Sequence, residues 1–77
     1  MSKNVVGYVL IVTDVGMEHE VVEKLMGIEG VVEAQTVYGE FDILCKIKCN
    51  DLKSLDGTIT KVRKITSVIR TMTLISG

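Results

Sequence analysis

A two-layer α+β fold, with strands and helices in the order βαββαβ, is predicted by three observations on this chain of 77 residues. β-Branched and aromatic runs of strand length recur along the chain, and two stretches between them carry apolar residues at helical spacing. No proline, low-complexity stretch or Ser/Gly-rich linker divides them. Residues 1–77 are therefore read as a single domain, since domains commonly run to roughly 100–150 residues. Hydrophobic residues make up 47% and charged residues 25%, too apolar a balance for a disordered chain. A chain this short buries only about 60% of the surface its unfolded form exposes, so self-association is expected as the supplement.

Residues 5 to 13, Val-Val-Gly-Tyr-Val-Leu-Ile-Val-Thr, are too short in apolar length for a typical helix and form the first strand. Val5, Val9 and Ile11 point one way and Val6, Tyr8, Leu10 and Val12 the other, so neither face suits water. From Met17 to Gly27 the apolar residues Val21, Val22, Leu25 and Met26 make one stripe, with Glu18, Glu20, Glu23 and Lys24 elsewhere. That is an amphipathic helix, with Thr13 or Asp14 near its start, acidic first turns, and Gly27 or Gly30 at its end. Residues 31 to 38 are the second strand, and Gly39-Glu40 is a hairpin signal. Residues 41 to 49 follow as the third strand, with Phe41, Ile43, Cys45, Ile47 and Cys49 on one face.

Asn50 or Asp51 is the expected N-cap of a second helix whose stripe is Leu52, Leu55, Ile59 and Val62. Gly57 weakens that helix by about 1 kcal/mol relative to Ala. Val68 to Ile75 returns to strand chemistry, with Thr71 and Thr73 on the same face. Short connections, right-handed crossovers and two helices on one face turn this order into the ferredoxin-like split βαβ, an antiparallel sheet in the order 4-1-3-2. With the helices on one side, Tyr8, Leu10 and Val12, or their alternates, must face outwards, and such a patch marks a partner surface. Sheet-to-sheet dimerisation is the simplest occupant.

Nine basic against ten acidic residues give a net charge of −1, which offers no excess field for phosphate backbones, so no direct DNA binding is expected. The run Val9 to Val12 is far short of the about 20 residues that span a bilayer, and no basic segment leads into a signal, which points to the cytoplasm and to no membrane partner. Cys45 and Cys49 lie about 13 Å apart along a strand, beyond the roughly 7 Å limit of a disulfide, and cannot share one metal ion. They read as small core hydrophobes.

His19, between Glu18 and Glu20, reads as a solvated surface residue. The scattered glycines form no phosphate loop. Lys61, Arg63 and Lys64, with Arg70 nearby, complement the dipole of the second helix. No catalytic constellation, metal or cofactor is expected; the chain is not read as an enzyme.

The segment Val37-Tyr38-Gly39-Glu40-Phe41-Asp42 joins a strand end, a tight turn and a carboxylate. By itself it also fits a plain hairpin in which Gly39 supplies an unusual φ and Asp42 is solvated. It is one of four fragments through which the chain resembles the effector-binding (RAM) domain of the Lrp/AsnC, or feast/famine, transcriptional regulators from about Val5 to Ile75. The others are Tyr8-Val9-Leu10-Ile11-Val12, Ile28-Glu29-Gly30-Val31 and Thr71-Met72-Thr73-Leu74.

The resemblance implies a small-molecule sensor with an amino acid as effector, dimers formed through the sheets, rings of dimers, and ligands held between dimers. It implies a ligand set of Tyr38, Gly39, Glu40, Phe41 and Asp42 in a Gly-x-x-Asp loop, with Thr71 and Thr73 as a hydroxyl pair. Asp42 offers an acceptor for an α-ammonium, and Gly39 lets main-chain donors approach a carboxylate. Full-length members carry an N-terminal helix-turn-helix domain, whereas only Met1-Ser2-Lys3-Asn4 precede the first strand here. A stand-alone version is thus expected, acting by co-assembly with full-length regulators or by buffering an amino acid. A generic ACT-type amino-acid-binding domain is the alternative, and a small enzyme with an intersubunit cleft a further one; the latter has only Asp42, Tyr38 and His19 to work with. As a hairpin-end residue, Asp42 is expected to contribute no more than about 0.5 kcal/mol to stability.

Overall fold

The computed structural model describes residues 4–76; Met1, Ser2, Lys3 and Gly77, which the single-domain reading includes, lie outside the described residues. The elements are β1 (Val5–Thr13), α1 (Glu18–Met26), β2 (Val31–Thr36), β3 (Ile43–Cys49), α2 (Leu52–Arg63) and β4 (Val68–Ser76). One antiparallel sheet has the order β2-β3-β1-β4, which is the expected 4-1-3-2 read from the other edge. The fold class is the ferredoxin-like βαββαβ.

Register decides which half of β1 is inside. Val9 pairs with Cys45 and Ile11 with Ile43, and all four side chains are fully buried beneath the helices. Val21 and Leu25 of α1 and Leu55, Ile59 and Val62 of α2 close this core from above. α2 sits so near β1 that a Cβ on Gly7 would come within 3.0 Å of the Leu55 side chain. On the opposite face lie Tyr8, Leu10 and Val12, flanked by Leu44 of β3 and by Met72 and Leu74 of β4. Leu10 sits between Leu44 and Met72, and Tyr8 between Lys46 and Leu74.

The described chain exposes 5145 Å², above the roughly 4,700 Å² expected of a monomer of its mass. Its extents of 42 × 22 × 16 Å are those of a single two-layer slab.

Several element ends differ from the sequence reading. β2 stops at Thr36 and β3 begins at Ile43, so Val37, Tyr38 and Phe41 lie in a connection and not in strands. The Val37 N–H donates to the Asp42 carbonyl at 2.9 Å, and Gly39 takes φ +123 inside the loop so closed. That conformation is open to glycine and strained for other residues. α1 takes its N-cap from Met17, with no side-chain cap; neither Thr13 nor Asp14 serves, although the Asp14 carbonyl accepts from the Met17 N–H at 3.1 Å. α2 is capped as expected by Asp51, whose Oδ1 accepts from the Ser54 N–H at 2.7 Å. That bond lowers the Asp51 carboxyl below its ordinary value.

The buried stripe of α2 is Leu55, Thr58, Ile59 and Val62; Leu52, expected in that stripe, is exposed in the first turn. Gly57 lies on the outer side, where an added Cβ would meet nothing within 4 Å. Gly57→Ala is therefore expected to raise stability by about 1 kcal/mol, the helix-propensity difference with no steric penalty, as read by urea unfolding.

Candidate functional site

The loop from Val37 to Asp42 crosses the end of the sheet where β1 finishes. Asp42 is its anchor: its N–H donates to the Ile11 carbonyl at 2.8 Å, and its Oδ2 accepts from the Thr13 N–H at 2.9 Å. The second bond has a cause in the strand itself. The pairing of β1 with β3 ends at Ile11–Ile43, and Thr13 is only 4% exposed, so its amide, on the same strand edge as the Ile11 carbonyl, needs an acceptor that the ladder does not supply. Asp42 is thus not the solvated hairpin residue of the plain reading. Its Oδ1 has no donor among the described residues.

Around this anchor the expected site residues separate into two groups. Tyr38 and Glu40 are exposed, and Gly39 has open space where a side chain would be. Phe41 is half-buried and lies beneath the Arg70 guanidinium, 5.5 Å from ring centroid to Cζ. Thr71 and Thr73 are half-buried on β4, across β1 from the loop, opposite Ile11 and Val9. Two strand spacings, about 10 Å, separate the Asp42 backbone from Thr71, with Thr73 about 7 Å further along. Within one chain the structure joins Tyr38 through Asp42 to β4 through Arg70, and leaves Thr73 apart.

Arg70 joins the site although no local pattern marks it. Its partner Val12 is set by sheet register, and its contact with Phe41 by a loop path that no local pattern encodes. Arg63, Arg70 and Thr71 also line a shallow cleft of about 350 Å³ with Val68 and Ile69. One sheet end therefore offers a carboxylate oxygen for a cation, and guanidinium groups and a hydroxyl for an anion. The thiols add no reactive group there. Cys45 is buried and free, and burial pushes its thiol from 9.0 up to about 11.

That shift has a pH consequence. Between about pH 9 and pH 11 the unfolded chain releases the Cys45 proton while the folded chain keeps it, so stability is full below pH 9 and falls as pH rises. Urea midpoints that drop between about pH 8 and pH 10.5, and drop less in a Cys45→Ala chain, are the expected result.

A ferredoxin-like sheet with one bare apolar face and a polar loop at its end is the frame of a small regulatory domain. Residues 7–76 match the family model of the Lrp/AsnC ligand binding domain, and the chain belongs to that family. It is 35% identical over 60 residues, 77% of its length, to the uncharacterized HTH-type transcriptional regulator PH1916 of Pyrococcus horikoshii, of which it spans 40%. The crystal structure of hypothetical protein PHS023 from Pyrococcus horikoshii superposes with TM-score 0.88 at 44% identity, covering 94% of this chain and 88% of that one. The fold recurs at 22% identity, TM-score 0.78, in the feast or famine regulatory protein Rv3291c from M. tuberculosis complexed with L-methionine, covering 94% of this chain and 49% of that one.

Proposed function

We propose that this domain is an amino-acid-sensing regulatory module that works as an oligomer. Two copies join through the helix-free sheet face, dimers stack into a ring, and an α-amino acid is held where the Gly39–Asp42 loop of one copy meets a neighbouring copy. The observation that carries this reading is the anchored Asp42 carboxylate: the Thr13 amide holds Oδ2, which aims Oδ1 as an acceptor without rotamer search. Arg70, held over Phe41, is the complementary cation for a carboxylate. The L-methionine complex of the M. tuberculosis protein supports an amino acid as the ligand class.

The net charge is −1, so the pure domain lacks the excess positive charge that drives binding to duplex DNA. Its effect on transcription passes through co-assembly with regulators of the family, in the cytoplasm, and the chain acts as an effector-binding domain and not as an enzyme. A thermal-shift screen of amino acids and nucleotides tests the reading. A ligand at 100 times its Kd adds about 2.7 kcal/mol to stability, a readily measured rise in Tm for a domain of this size. Stabilisation by nucleotides alone would overturn it.

A further inference from the structure

The opposite end of the sheet carries a second concavity that the amino-acid reading does not use. A cleft of about 360 Å³ lies between the Glu29-Gly30 turn, the end of β3 and the outer side of α2. That volume falls at the small end of the roughly 300–1,000 Å³ typical of small-molecule pockets. Its wall includes the Cys49 thiol and the Thr58 hydroxyl, 3.7 Å apart. Thr58 is 8% exposed and its hydroxyl donates to the Ser54 carbonyl at 3.1 Å, which leaves its oxygen as a fixed acceptor beside the thiol.

Two glycines hold the cleft open. A Cβ on Gly30, whose φ is +100, would lie 3.1 Å from Thr58 Oγ1 and 3.3 Å from Cys49 Sγ. Gly57, which weakens α2 and packs against nothing, faces the cleft. Opposite charges stand on the lining, the Glu29 carboxylate and the Lys61 ammonium. The N-terminus of α2 is no anion site, because Asp51 already occupies its Ser54 amide. The cleft is therefore charge-balanced and polar, unlike a phosphate cradle or an apolar groove.

We infer that this cleft is a second ligand site, for a small zwitterion of the α-amino-acid type. The ammonium lies on the Glu29 side, the carboxylate on the Lys61 side, and the substituent over Gly57 against Cys49. The site is formed within one chain. It is also independent of the loop site, since Cys49 lies at the far end of β3, seven steps along the chain from Asp42 and roughly 23 Å away.

The experiment is a set of ¹⁵N–¹H titrations of the full chain with each of the common L-amino acids in turn, up to millimolar concentration. At least one is expected to shift the amides of Gly30, Asn50, Gly57 and Lys61 saturably. Gly57→Leu, which has room for its side chain in the cleft and so preserves the fold, should abolish those shifts. Lys61→Gln and Glu29→Gln should each weaken binding by about tenfold or more. Asp42→Asn should leave these shifts intact, which separates this site from the loop site: loss at one end with retention at the other identifies which reading fails. Shifts confined to Tyr38 through Asp42, no shifts at all, equal binding by acetate or methylammonium, or saturable binding unchanged in Gly57→Leu would overturn the inference.

Discussion

A Leu10→Glu chain is expected to sediment as a folded monomer of 8.5 kDa where the parent chain sediments as a dimer or larger. Leu10 is the centre of the bare sheet face, paired with Leu44 on one side and Met72 on the other, with Tyr8 and Val12 along the strand. A two-fold interface on this face would bury residue 10 of both copies, so one substitution introduces two unpaired charges. An uncompensated charge in an interface costs about 2–5 kcal/mol, at least a thirtyfold weakening even if only one is fully buried. The fold should survive, because the glutamate is half-exposed in the monomer and the core beneath is unchanged.

The neighbouring substitution supplies the control. Val9 is fully buried against Cys45, so Val9→Glu should unfold the chain and abolish its circular dichroism signal, whereas Leu10→Glu should leave that signal in place. A Leu10→Glu chain that remains dimeric would place the interface elsewhere.

Substitutions at Asp42 should separate two tasks of one carboxylate. Asp42→Asn keeps an oxygen for the Thr13 amide but removes the charge offered to an ammonium, so amino-acid affinity should fall by about 1.5–3 kcal/mol, roughly ten- to over a hundredfold. Stability should drop by about 1 kcal/mol or less, since a neutral acceptor replaces a charged one. Asp42→Ala removes both functions: it strands a buried Thr13 N–H and should cost about 1–3 kcal/mol of stability in addition. The expectation that Asp42 behaves as an ordinary surface residue thus gives way to a larger effect, whose source is the Thr13 amide left beyond the end of the β1–β3 pairing. Calorimetric titration with the best amino acid of the screen, beside urea unfolding, reads both quantities. Equal affinity in parent and Asp42→Asn chains would leave the loop as a structural strap only.

How much of this was legible beforehand follows from the range of the interactions. The helices and strands announce themselves in spacing: Val21 and Leu25, or Leu55, Ile59 and Val62, share a face by helical geometry alone, and the Asp51 cap with Ser54 is a contact three residues long. The site loop was legible as a segment but not as a geometry. Strand chemistry in Val37, Tyr38 and Phe41 suggested longer strands, and what ended them was the Val37–Asp42 closure and the demand of a distant amide.

Element order, the two-sided apolar β1 and hence a fold with one face left bare are local properties of the chain, because periodicity and propensity act over a few residues. Non-local contacts set the rest: Leu10 faces out while Val9 faces in, Asp42 is tied to Thr13 across 29 positions, and Arg70 covers Phe41. Those are consequences of strand register, and register is set by the packing of the whole sheet beneath its helices, where a slip of one residue would exchange the two faces of β1.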